Sequence, residues 1–177
     1  VAWSLSNDRG EHVLRLAGTL LTYGYARGEP DEGRAWLERA LHASPDAEPR
    51  LRVDALFTAS ALAQVQGDFA RSTELSLKAI TIAREHGYGF GQARAELALG
   101  ITAEWQGNLD LAAASYESAR LLMGQIDPHD RLIHWTVLPT ANLADIALLR
   151  GDSIVASQLA EEAVAHWRSD GYVWGIA

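Results

Sequence analysis

GDFARSTELSLKA at residues 67–79 decides the fold: a glycine, an acid, a small residue five places after the glycine (Ser72) and an alanine twelve places after it (Ala79). The same frame recurs as Gly28-Glu29 to Ala40, Gly107-Asn108 to Ala119 and Gly151-Asp152 to Ala163, with the glycines 39, 40 and 44 residues apart. A period of that size signals stacked helical hairpins, in which each unit buries its apolar face only against its neighbours. Such arrays usually hold a guest on a long face.

Position +5 from the glycine is Gly33, Ser72, Ala112 and Ala156, always small. It lies seven residues, two helical turns, before the invariant alanine, so both fall on one face where another helix can approach closely. Larger apolar residues, among them Trp36, Leu37, Leu41, Leu75, Ile80, Tyr116, Leu159 and Val164, complete the stripe of a second helix. Upstream of each glycine a further periodic stretch predicts the first helix: Leu16, Leu20 and Tyr23; Leu56 and Leu62; Leu97, Leu99 and Ile101; Leu143 and Ile146. The glycine closes that helix, and the acid or amide after it helps open the next.

Between repeats stand Ser44-Pro45, the Gly87 to Gly91 cluster and Asp127-Pro128-His129-Asp130. The last predicts a helix beginning near Pro128, which Pro139 should kink or break in two. The repeats accordingly run over approximately 11–45, 48–87, 89–125 and 128–169 of one domain, 1–177. Residues 169–177, SDGYVWGIA, echo EHGYGFGQA at 85–93, so 170–177 should start a further helix. The chain reads as a fragment of a longer array whose uncapped ends favour a homodimer.

The chain is 177 residues long with a net charge of -8, a pI near 5.2 and a single lysine, Lys78, among fifteen basic residues. That balance argues against a direct nucleic-acid footprint. With no cysteine there is neither a disulfide framework nor a thiolate metal site, and no apolar run approaches a membrane span. A soluble, cytoplasmic protein is expected.

No pattern of catalysis emerges. No phosphate loop is present, and Gly87-Tyr88-Gly89-Phe90-Gly91 follows a helix rather than a strand and lacks the third glycine's spacing in a dinucleotide fingerprint, so it reads as an inter-helix turn. His129 and His134 are five apart and rotate off a common face; with Asp130 they could meet at a metal only by chance of folding, and they read instead as surface or capping histidines. Glu161 and Glu162 are adjacent and point apart on a solvated surface. We expect no catalytic residue, metal or cofactor.

The small residue at +5, leucine or aromatic at +8 or +9, alanine at +12 and Pro45 at +17 resemble the tetratricopeptide repeat over nearly the whole chain. The resemblance implies an all-α, right-handed α-α superhelix of about four hairpins and the start of a fifth. Two departures stand out. The period exceeds the usual 34 residues of that family, and position -7, small in Ser60, Gly100 and Ala144, is Leu21 in the first repeat.

More narrowly, residues 15–41 and 67–87 resemble the helical-repeat region of bacterial regulators that join a nucleotide-switch ATPase to a LuxR-type DNA-binding domain. That resemblance implies a region sensing an inducer or partner and governing self-association of the ATPase.

In such hairpins the first helices line the concave surface. The contacts expected there are Tyr25, Gln64 and Glu104 at position -3, Phe57 and Leu97 at -10, and Arg15, Asp54 and Arg94 at -13, together with Trp105 and Asp145. Aromatic and arginine side chains commonly anchor partners. The reading is a non-enzymatic module that binds a protein, a peptide or a small inducer in its groove, alongside other domains of the same chain. The alternative is an architectural scaffold mediating self-assembly or multiprotein complex formation, unrelated to transcription.

Overall fold

A computed structural model describes residues 10–19, 21, 30–126 and 133–169, with only the backbone of 133–135. The described residues form helices α1 (Gly10–Leu14), α2 (Pro30–Ala43), α3 (Pro49–Val65), α4 (Phe69–Glu85), α5 (Gly89–Trp105), α6 (Leu109–Gly124), α7 (Ile133–Leu149) and α8 (Ser153–Ser169), and no strand. Each helix from α2 to α8 packs on the next, while α3 also touches α5 and α5 touches α7. The result is an all-α superhelix of helical hairpins.

The turn within each hairpin follows from its glycine. Gly67, Gly107 and Gly151 take φ of 73, 76 and 83°, a left-handed conformation that side-chain-bearing residues adopt at a cost. The turn then satisfies two orphan carbonyls at the helix end: Gly67 N donates to Gln64 O at 2.9 Å and Asp68 N to Ala63 O at 2.9 Å. The next residue caps the following helix. Asp68, Asn108 and Asp152 accept from the backbone N of Arg71, Leu111 and Val155 at 3.2, 3.2 and 3.1 Å.

All four +5 residues and all four +12 alanines are buried, which makes them the seam between helices. One core runs from Val13, Leu14 and Leu37 through Leu56, Leu62 and Leu75 to Leu99. A second gathers Leu97, Tyr116, Ala119 and Ile146. The seam near Ser72 is polar. Ser60 Oγ lies 3.0 Å from Ser72 Oγ and 2.7 Å from Ser76 Oγ, and Ser72 Oγ lies 2.8 Å from Thr102 Oγ1, so small hydroxyls bond to one another inside the hairpin contact.

Two expectations change. Of the two outcomes expected at Pro139, a kink or a break, the break does not occur: its helix continues from Ile133 to Leu149. A proline removes a single donor, and α7 is held in helical form by packing against both α6 and α8. The Gly87 to Gly91 cluster is divided: Gly87 makes the turn with φ of 64°, and Gly89 and Gly91 begin α5. Tyr25, the Gly28 turn, residues 127–130 and the expected helix at 170–177 lie outside the described residues.

Candidate interaction surface

On the first helix of each hairpin, positions -13, -6 and -2 lie roughly 20° or less from one direction, because eleven residues make about three helical turns. Positions -10 and -3 point roughly 60–80° to one side. The direct contact of α3 with α5 makes this difference decisive. On α3 and α5 the side positions Phe57, Gln64 and Leu97 are buried toward the neighbouring helix, positions -13 and -6 range from buried Ala61 to exposed Asp145, and position -2 is exposed on α3, α5 and α7 alike.

Asp54 and Arg94 share position -13, so stacking brings them together: Arg94 Nη1 donates to Asp54 Oδ1 at 3.0 Å. The Arg94 guanidinium also lies 4.0 Å from the centre of the Phe57 ring and 5.5 Å from that of Phe90. Tyr88 Oη donates to the same Asp54 oxygen at 3.3 Å, and Arg50 lies 5.1 Å over the Tyr88 ring. Burial pushes the Asp54 carboxyl above its ordinary pKa against the opposing pull of Arg94, and burial pushes Arg94 below its own. The Arg94 side chain is 13% exposed and that of Asp54 33%, so the pair joins two hairpins and offers mainly the carboxylate to the outside.

Three of the expected groove contacts belong to the interior. Phe57 is buried beneath Arg94, and Leu97 is part of the second core. Gln64 is buried too: its Nε2 donates to Ala98 O at 2.7 Å and to Thr102 Oγ1 at 2.8 Å, tying α3 to α5. Their -10 and -3 positions turn them toward the adjacent helix, where an amide or apolar side chain is taken up by the stack. Glu104 is half-buried and accepts from Tyr116 Oη at 2.6 Å. Burial, reinforced by Glu104, pushes the Tyr116 phenol above the ordinary tyrosine range. Arg15 is exposed and paired with Glu11 at 2.7 Å, and Asp145 is exposed on α7. Tyr25 lies outside the described residues.

The open part of the face is position -2. Val65, Trp105 and Leu149 stand there on three successive first helices, exposed by 45, 56 and 61%. Trp105 is held edge-on to Phe69, with ring centres 5.9 Å apart and planes at 73°. Sequence reasoning found Trp105 and missed Val65 and Leu149. The missed signal was an apolar residue repeated two places before each glycine, where a helix end would ordinarily be polar. Among the described residues no three His, Asp or Glu side chains converge as a metal site would require, and no helix is long and apolar enough to cross a membrane.

The chain matches no family model and no curated protein. Solved structures do resemble it. BtubC (BKLC) from P. vanneervenii superposes with a TM-score of 0.77 at 15% identity, covering 95% of this chain and 71% of that one. The apo form of RapI gives 0.77 at 13%, covering 90% and 57%. A Podospora anserina putative kinesin light chain with nearly identical TPR-like repeats gives 0.70 at 16%, covering 89% and 77%. At such identities the likeness is one of fold: a TPR-like helical repeat. The chain spans little more than half of RapI.

Proposed function

We propose that the chain is a non-enzymatic protein-interaction module whose shared first-helix face receives an apolar segment of a protein or peptide partner. The observation that carries this is the row of large apolar side chains at one register position, Val65, Trp105 and Leu149, all open to solvent on successive first helices. Neighbouring helices pack about 8–10 Å apart. A polyproline II-like segment, with about three residues per turn and about 3.1 Å rise per residue, returns every third side chain to one side about 9 Å further along and would therefore meet successive members of the row. Glu104, Asp145 and the Asp54 carboxylate add negative charge beside it and favour a basic or neutral partner.

The test is to select peptides on the chain from a random library and compare their affinity for the wild type and Trp105→Ala. Loss of at least about tenfold on Trp105→Ala, in the manner of an interface hot spot, is expected with unchanged helicity. Peptides that bind both proteins equally would refute the site.

The resemblance carried by residues 15–41 and 67–87 supports a finer proposal, that the module serves a cytoplasmic, signal-responsive transcriptional regulator. The complete reading frame tests it: a phosphate loop upstream and a helix-turn-helix downstream are expected, and a frame with neither removes the transcriptional role. Self-assembly is favoured by a separate observation, the exposure of Leu148, Ile154 and Val155 on the α7–α8 hairpin.

A further inference from the structure

On the side of α3 opposite the first-helix face, a cleft of about 640 Å³ opens between α2 and α4. Its volume falls within the range of small-molecule sites. Leu56 and Leu75, both buried, form its apolar base, and Leu77, 50% exposed, stands at its edge. Its charges are unequal: Arg52, Arg71 and Lys78 face only Glu38 and Glu74.

Pairing leaves one cation over. Arg71 binds Glu38 through Nη2 at 2.7 Å and Nε at 3.2 Å, and Glu74 through Nη1 at 2.5 Å. Lys78 Nζ donates to the other oxygen of Glu74 at 2.6 Å. Both carboxylates are thus occupied. Arg52 has no acidic partner among the described residues, and its Nε is buried without a hydrogen-bond acceptor. A buried donor left unbonded is costly, and a guanidinium over an apolar base is matched by a planar carboxylate attached to an apolar body.

We propose that this cleft binds a small amphipathic monocarboxylate, its apolar part on Leu56 and Leu75 and its anionic head on Arg52. The net positive lining is the more telling because the whole chain carries a charge of -8. The site is separate from the first-helix face, so Trp105→Ala should leave it intact.

Calorimetric titration with decanoate below its micellar concentration, with decanol as the neutral counterpart, tests the proposal, and amide shifts locate the site. One saturable site is expected, with shifts on the α2, α3 and α4 residues of the cleft. Affinity should fall at least tenfold for decanol and for Arg52→Met. Should Arg52→Met fail to fold, Leu77→Asp at the exposed edge puts a like charge and a polar group on the lining of the cleft and is expected to weaken decanoate by a similar factor. No saturable binding, equal binding of decanol, indifference to the variant that folds, or shifts centred on α5 and α7 would each overturn it.

Discussion

Glu96 illustrates how one residue's setting determines what it contributes. It is nearly buried on α5, and its closest cation, the Arg84 guanidinium, lies 3.9 Å away on a side chain that is mostly exposed. Burial pushes its carboxyl above the ordinary range, with hydrogen bonds from Gln92 and Ser118 opposing the shift. A raised folded-state value means that the native protein binds the proton more tightly than the unfolded chain. Stability is therefore lost as pH rises through that value and recovered as pH falls. Glu96→Gln is expected to gain about 1 kcal/mol at neutral pH. The gain should fade toward about pH 4, where unfolded carboxylates also take up protons. Urea denaturation at several pH values checks it, and a pH-independent difference would contradict the assignment to burial. Arg94 behaves oppositely as a probe. Its replacement would remove a ring contact and an ion pair together, so Trp105, open and at the same face, reports on binding more cleanly.

At the scale of helices, close approach determines the hairpin. Gly100 sits at position -7 of α5, where a Cβ would overlap the ring of Tyr116 on α6. Replacing a helical glycine by alanine ordinarily stabilises by up to about 1 kcal/mol. Here overpacking should reverse the sign, and Gly100→Ala is expected to cost about 2 kcal/mol. Chemical denaturation measures it, and a stabilised variant would mean that the ring has room. Much of this level was legible in the residues themselves. The glycine turns, the Asp and Asn caps and the small-residue seam follow from local chemistry that operates wherever those residues occur. Pro139 was less legible, because whether a lost donor breaks a helix depends on the helices that hold it.

Across the whole molecule, stacking leaves some apolar surface without a neighbour among the described residues. Ile154 is 72% exposed, and Leu148 and Val155 stand open with it on the α7–α8 hairpin. Surface of this kind promotes association. The wild-type chain is expected to self-associate, and Ile154→Asp to shift it toward the monomer by sedimentation equilibrium. A monomeric wild type would remove self-assembly as a role for this hairpin.

The recurring glycine, cap and alanine were sufficient to determine paired helices and the face on which they nest, because helical periodicity converts spacing along the chain into direction around an axis. The same periodicity could not say which direction remains open. Gln64, Phe57 and Leu97 turned inward only because α3, α5 and α7 lie against one another, and the unmatched charge of Arg52 emerged only when α2 and α4 closed around it. Burial and charge pairing depend on neighbours supplied by distant parts of the chain, and those were decided by the tertiary structure.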